Sequence, residues 1–145
     1  MAKQYSLTGG TKAFNAFAKT LIQLHIPTGS IALLTVAGRT TGQPRSTPVN
    51  VHVEGGRRYL VSPYGEVGWV KNVRAAGGHA RLRYRGKTED VRLQELPPAQ
   101  AAPILKYYAE HFKVTAPYID AKPGDPVERF AAEADKHPVF EILPA

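Results

Sequence analysis

Residues 45–62, Arg45-Ser46-Thr47-Pro48-Val49-Asn50-Val51-His52-Val53-Glu54-Gly55-Gly56-Arg57-Arg58-Tyr59-Leu60-Val61-Ser62, decide the fold class. Val49, Val51 and Val53 alternate with Asn50 and His52, the period of two that marks a strand with one dry and one wetter face. Glu54-Gly55-Gly56-Arg57 comes next, and adjacent glycines accept the positive φ angles of a tight primed turn. Arg58 to Ser62 is then the returning strand of an antiparallel hairpin. Pro48 has no N–H to give a ladder, which places its stretch at a sheet edge or a bulge.

Working outward, Ser30 to Val36 is a short apolar, partly β-branched run suited to a buried strand. Downstream, Ala80, Leu82 and Tyr84 alternate with Arg81, Arg83 and Arg85. After a Gly86-Lys87 turn, Val91 and Leu93 alternate with Asp90, Arg92 and Gln94, giving a second hairpin with one charged face. Val139 to Leu143 supplies a last strand. Between these, Trp69, Val70 and Val73 share one face of a short helix over Gly68 to Ala76, ended by Gly77-Gly78. Pro97-Pro98 opens a helical stretch to Phe112 that Pro103 interrupts, and another short helix spans Val127 to Ala134 after the Pro123-Gly124-Asp125-Pro126 turn. Near the N-terminus Thr11 is an N-cap, and Phe14, Phe17, Leu21 and Leu24 recur at helical spacing until Pro27. Six short strands, mostly hairpin-linked, with helices inserted at their ends, predict an α+β barrel and a single domain over residues 1–145, with residues 1–10 expected to be disordered.

Composition narrows the function. One domain with one core is the expectation at 145 residues and 43% hydrophobic content. Nineteen Lys and Arg against 12 Asp and Glu give a net charge of +7, which calls for an anionic partner without naming it. The absence of cysteine excludes a disulfide framework, a thiol nucleophile and a cysteine zinc site. His25, His52, His79, His111 and His137 lie far apart, with no two at i,i+4 spacing beside an acidic residue, so no metal is expected. Neither a Gly-x-Ser-x-Gly elbow nor a phosphate-loop spacing around Gly9-Gly10-Thr11-Lys12 is present. No apolar run reaches the roughly 18 residues of a membrane span, so the location read is cytoplasmic. The first helix either covers one end of the barrel or makes weak contact with the inner face of a membrane. Arg81, Arg83 and Arg85 read as a solvated barrel face, and no nucleic-acid partner is expected.

Two stretches carry chemistry. The segment Gly38-Arg39-Thr40-Thr41-Gly42-Gln43-Pro44-Arg45-Ser46-Thr47-Pro48-Val49 holds two guanidinium groups and four hydroxyls on glycine and proline turns. Arg offers a planar fork, hydroxyls offer short adaptable donors, and glycine lets backbone amides approach an oxyanion, a chemistry suited to phosphate or carboxylate. An ordinary solvated strand connection is the competing reading. The second stretch is Tyr64-Gly65-Glu66-Val67-Gly68-Trp69, followed by Lys71, Asn72 and Arg74, where a glycine-bearing loop leads into a helix N-terminus. Trp69 by itself reads first as a core aromatic, and Asn72 as the better ligand for a heterocycle edge.

Together, in this order, the run from Gly38 to Val49 and the strand-loop-helix through Trp69 and Asn72 resemble the deazaflavin-dependent nitroreductase family. That family belongs among the flavin and deazaflavin oxidoreductases with a split β-barrel. The resemblance spans about Ser30 to Tyr84 and, more loosely, His137-Pro138-Val139-Phe140. It implies binding of coenzyme F-420, a deazaflavin with a phospholactyl and oligoglutamate tail, with flavin mononucleotide a poorer fit. Hydride would pass from the reduced cofactor to a quinone, an enone or a nitroaromatic. The implied cofactor contacts are Arg39, Thr40, Thr41, Gln43, Arg45, Ser46, Thr47, Pro48, Val49, Val61, Ser62, Pro63, Tyr64, Gly68, Trp69, Asn72 and Arg74. Tyr64, Tyr118 and Ser62 are the local candidates for proton donation or substrate contact, with water as the other source, and Tyr107 to Tyr118 would shape the acceptor pocket. Some members carry lysine where this chain has Thr40 and Tyr64, which directs tail binding toward Lys71, Arg74 or the hairpin arginines. The alternative is a non-catalytic carrier of a deazaflavin, a flavin or a lipid-like anion. The expected partner is a small-molecule electron acceptor, and the assembly a monomer or homodimer.

Overall fold

The computed structural model describes residues 31–111 and 118–145. The helix read from Thr11 to Leu24, its membrane contact and the order of residues 1–10 lie outside the described residues. Six strands, β1 (Ile31–Ala37), β2 (Pro44–Glu54), β3 (Arg57–Val61), β4 (His79–Tyr84), β5 (Lys87–Glu95) and β6 (Val139–Pro144), close into a barrel in the order β1-β2-β3-β6-β5-β4. Every neighbouring pair is antiparallel. Among the described residues three helices are inserted: α1 (Gly68–Ala75) between β3 and β4, then α2 (Pro98–His111) and α3 (Val127–Glu133) between β5 and β6, with a 3-10 turn at Ala134–Lys136. Among the described residues no helix is long and apolar enough to cross a membrane.

Alternation along the strands creates two cores from one sheet. Leu34 and Val36 of β1, Val49 and Val51 of β2, Leu60, Leu82, Val91, Leu93, Phe140 and Ile142 fill the barrel. Tyr59, Val61 and Val139 point to the other face and meet Ile104, Leu105 and Tyr108 of α2 and Phe130 of α3. A shift of one residue in register would exchange the two sets, so the pattern itself fixes the pairing.

The Glu54–Arg57 turn forms as read, with Gly55 at φ 59° and Gly56 at φ 78°. Gly77 and Gly78 end α1, the Gly78 amide donating to the Val73 carbonyl at 2.9 Å. Gly78 has φ 89°, and a Cβ there would lie 2.5 Å from the Leu93 carbonyl oxygen. Gly78→Ala should therefore cost about 1–3 kcal/mol, seen as a lower unfolding midpoint in urea.

One expectation is corrected. Pro103 does not interrupt the second helix, which runs unbroken from Pro98 to His111. Pro103 sits early in the helix on its exposed side, where the carbonyl freed by its missing N–H can turn to water. The buried stripe of Ala101, Ala102, Ile104, Leu105, Tyr108 and Ala109 outweighs that lost bond.

Candidate functional site

The β2–β3 ladder runs from Val51↔Leu60 to Glu54↔Arg57, whereas β2 pairs with β1 from Pro44 to Asn50. Ahead of Val51, β1 is thus the only strand partner of β2 among the described residues. After Val61 the chain leaves the ladder for the loop at residues 62–67, so the edge of β2 from Arg45 to Asn50 has no second strand partner among the described residues, a gap in the pairing. Pro48 lies in this half-paired stretch, opposite Leu33, where an absent N–H is tolerated.

The two motifs meet at one side chain. The Asn72 Oδ1 of α1 accepts the Arg39 backbone N–H at 3.1 Å and its guanidinium Nη1 at 2.9 Å. Asn72 is 8% exposed while Arg39 is exposed, so the latch is anchored from its buried Asn72 end. The loop it holds is compact: the Gly42 amide donates to the Gly38 carbonyl and the Gly38 amide to the Gln43 carbonyl, both at 2.8 Å, with Gly42 at φ 74°. The Gln43 amide donates to Thr41 Oγ1 at 3.2 Å, and Ser46 pairs hydroxyl to hydroxyl with Thr35 at 2.9 Å. Thr41 and Ser46 therefore brace the loop and the strand. Thr40 and Arg45 are exposed, and the ion pairs of the described residues do not include Arg39, Arg45 or Lys71.

Arg74 has a different task. It meets Glu95 through two bonds at 2.9 and 2.8 Å and Glu66 at 3.1 Å, and these carboxylates raise its pKa further above the usual arginine range. It ties α1 to β5 and to the preceding loop, and its charge is already matched. The hairpin arginines are similarly engaged, Arg81 with Asp90 at 3.2 Å and Arg85 over the Tyr84 ring at 5.2 Å.

In the loop after β3, the buried Ser62 hydroxyl donates to the Gly65 carbonyl at 2.5 Å. Its one hydrogen is therefore committed to shaping the turn, where Gly65 adopts φ 97°. Val67 is the N-cap of α1 and makes no side-chain cap bond, so Gly68 and Trp69 open a helix end with no acidic residue in its first turn. Trp69 is half-buried against Phe140, their ring centres 5.7 Å apart, which is the core packing its residue type led one to expect. Val61 packs toward the helices and Val49 into the barrel, each contributing apolar wall.

Tyrosines reach this edge of β2 through Asn50. Tyr64 and Tyr118 meet edge to face at 4.8 Å and 83°. Tyr108 of α2 accepts a hydrogen bond from the Asn50 amide at 3.3 Å. The sequence reading covered Tyr108 only within Tyr107 to Tyr118 and did not single out Asn50, because Tyr108 lies on an apolar helical stripe that reads as core. Burial pushes the Tyr108 phenol above its ordinary pKa, the Asn50 bond opposes this, and Tyr64 adds to it. A raised folded value keeps its stabilising contribution intact below the unfolded pKa near 10 and loses it as pH climbs through the folded one. Tyr108→Phe should flatten the alkaline loss of stability above about pH 10, measured as melting temperature against pH.

A closed six-stranded antiparallel barrel with helices inserted between its strands is the split-barrel architecture. Solved structures agree on the fold. A chain described as a domain-swapped dimer matches with TM-score 0.59 at 20% identity, covering 93% of this chain and 99% of that one. An F-420-H2 dependent reductase, FDR-A, matches with TM-score 0.54 at 21% identity over 78% and 93%. A putative pyridoxamine 5'-phosphate oxidase from Listeria innocua matches with TM-score 0.54 at 12% identity over 88% and 93%. No curated protein matches in sequence. The family model of F-420H(2)-dependent quinone reductases matches residues 11–124, and the chain belongs to that family. It is an oxidoreductase, with coenzyme F-420 as its cofactor, and the carrier reading is not favoured.

Proposed function

We propose that the chain reduces a quinone, or a comparably electrophilic enone or nitroaromatic, in the gap between β2 and the Ser62–Val67 loop. The observation that carries this is the Arg39–Asn72 latch, which fixes a cationic loop ahead of the half-paired edge of β2. The donor set fits a planar, polyanionic cofactor. Arg39, Arg45 and Lys71 supply positive charge without a carboxylate partner, Thr40 adds a free-standing hydroxyl, and the uncapped start of α1 presents amides. Arg74, being matched by Glu66 and Glu95, does not belong to the tail site in this reading.

Thr47, Pro48 and Val49 would flank the ring system from one side, and Pro63, Tyr64, Gly68 and Trp69 from the other. Reduced coenzyme F-420 supplies hydride when bound. The protein positions two planar partners and excludes water, which is where most of its contribution to rate would arise. Tyr64 and Tyr118 are the proton donors or acceptor contacts, Tyr64 standing in the Ser62–Val67 loop and Tyr118 meeting its ring; Ser62 holds the loop instead. A homodimer is the assembly proposed, following the domain-swapped dimer of similar fold. Light scattering at the 15.8 kDa of a single chain would exclude it.

The test is fluorescence titration of oxidised coenzyme F-420 with flavin mononucleotide as competitor, followed by turnover on a quinone panel. Selective binding with turnover supports the reading, and binding without turnover on any acceptor returns the chain to a carrier. Arg45→Ala should weaken cofactor binding roughly tenfold, the worth of one charge-assisted contact, with the melting temperature unchanged. Equal affinity would remove Arg45 from the site.

A further inference from the structure

Glu133 and His137 are buried, at 7% and 3% exposure, and the proposed chemistry uses neither. They stand at i,i+4 across the end of α3 and the 3-10 turn. Glu133 Oε1 accepts the Asp120 amide at 2.9 Å and meets His137 Nε2 at 2.7 Å, while Oε2 accepts the Ala121 amide at 2.8 Å. His137 Nδ1 lies 2.9 Å from the Pro63 carbonyl oxygen. A carbonyl can only accept, so Nδ1 carries a hydrogen, and the 2.7 Å bond to Glu133 takes a second one, shared between Nε2 and Oε1. One carboxylate and one imidazole thereby join three segments distant in sequence: the Ser62–Val67 loop, the stretch from Tyr118 to Ala121, and α3.

The grip is applied next to the tyrosines. Pro63 immediately precedes Tyr64, and Asp120 lies two residues after Tyr118, the two rings that meet edge to face at 4.8 Å. Apolar packing of equal volume would hold α3 without the desolvation that a buried carboxylate incurs. What apolar contacts lack is direction, and four hydrogen bonds of defined geometry fix the mutual placement of two loops.

We propose that Glu133 and His137 are positioning residues for the acceptor pocket. They set the distance and tilt between Tyr64 and Tyr118 through the Pro63 carbonyl and the Asp120 and Ala121 amides, and they touch neither acceptor nor cofactor. This rests on reading Tyr64 and Tyr118 as acceptor contacts.

The experiment uses the enzyme loaded with reduced coenzyme F-420 and a soluble naphthoquinone as acceptor. The His137→Gln side chain can reach Glu133 in place of Nε2 but abandons Pro63, whereas His137→Asn can donate to Pro63 in place of Nδ1 but abandons Glu133. His137→Gln is expected to raise the acceptor KM roughly tenfold with cofactor affinity unchanged, and His137→Asn to restore most of that loss. The paired background is Tyr64→Leu. If His137 acts through Tyr64, adding His137→Gln to Tyr64→Leu leaves KM where Tyr64→Leu put it. Additive effects, or a KM that follows melting temperature equally in the Gln and Asn variants, would overturn the proposal. Glu133→Gln, which keeps the volume and one acceptor oxygen, carries the same cycle against Tyr118→Leu should His137→Gln fail to fold. If Tyr64→Leu and Tyr118→Leu themselves leave KM unchanged, it is the acceptor-pocket reading that fails.

Discussion

Asn72→Leu is expected to lower affinity for oxidised coenzyme F-420 by roughly 10- to 100-fold and to cost about 1–3 kcal/mol of stability. The size follows from what Asn72 Oδ1 does. It accepts the Arg39 amide and guanidinium together, at 3.1 and 2.9 Å, from a residue that is itself 8% exposed. A leucine of similar volume leaves the Arg39 amide without its acceptor and releases the guanidinium from its fixed direction. The loop from Gly38 to Gln43 then presents its donors as an ensemble, and the ligand must order it on binding. Fluorescence titration gives the affinity and urea unfolding the stability. A folded Asn72→Leu protein that binds as tightly as the parent would show that the latch is incidental to the site.

Phe140→Ala should have the largest effect on the fold, about 3–5 kcal/mol, lowering the melting temperature by on the order of 10–15 °C. Phe140 is 1% exposed in the barrel and backs Trp69, with ring centres 5.7 Å apart. Removing it leaves a cavity that the closed barrel cannot easily collapse into, because six strands are pinned on both sides by their ladders. Calorimetry checks the stability, and Phe140→Leu, which refills most of the volume, should recover more than half of the loss. Cofactor affinity should fall as well, by a smaller factor, since Trp69 loses the ring it leans on. A loss under about 1 kcal/mol would mean that Phe140 is not central to the core.

The strands were legible because alternation is a local signal. Val49 and Val51 against Asn50, and Leu82 against Arg81 and Arg83, state which face is dry, and Gly55-Gly56 states where the chain turns; at the end of β2 the alternation fails, with Val53 52% exposed and His52 buried at 3% beside Tyr59 and Tyr107. The helix over Pro98–His111 was less legible. Pro103 carries a strong local penalty, and only the buried stripe against β3 and β6 reverses it. The partners of Arg74 were not legible either: its residue type advertises a cation, and only the fold brings Glu66 and the sequence-distant Glu95 to it.

The sequence by itself determined the strand pattern, the hairpin at Gly55-Gly56, the cationic loop and its order relative to Trp69 and Asn72, because each depends on neighbours within a few residues. Tertiary structure alone decided that Asn72 would hold Arg39, that β2 would stand half-paired beside the Ser62 loop, and that Glu133 and His137 would join Pro63 to Asp120 and Ala121. Those contacts link positions from 12 to 74 residues apart. Which donor finds which acceptor at such separations is set by the closure of the whole barrel, and no local propensity carries that information.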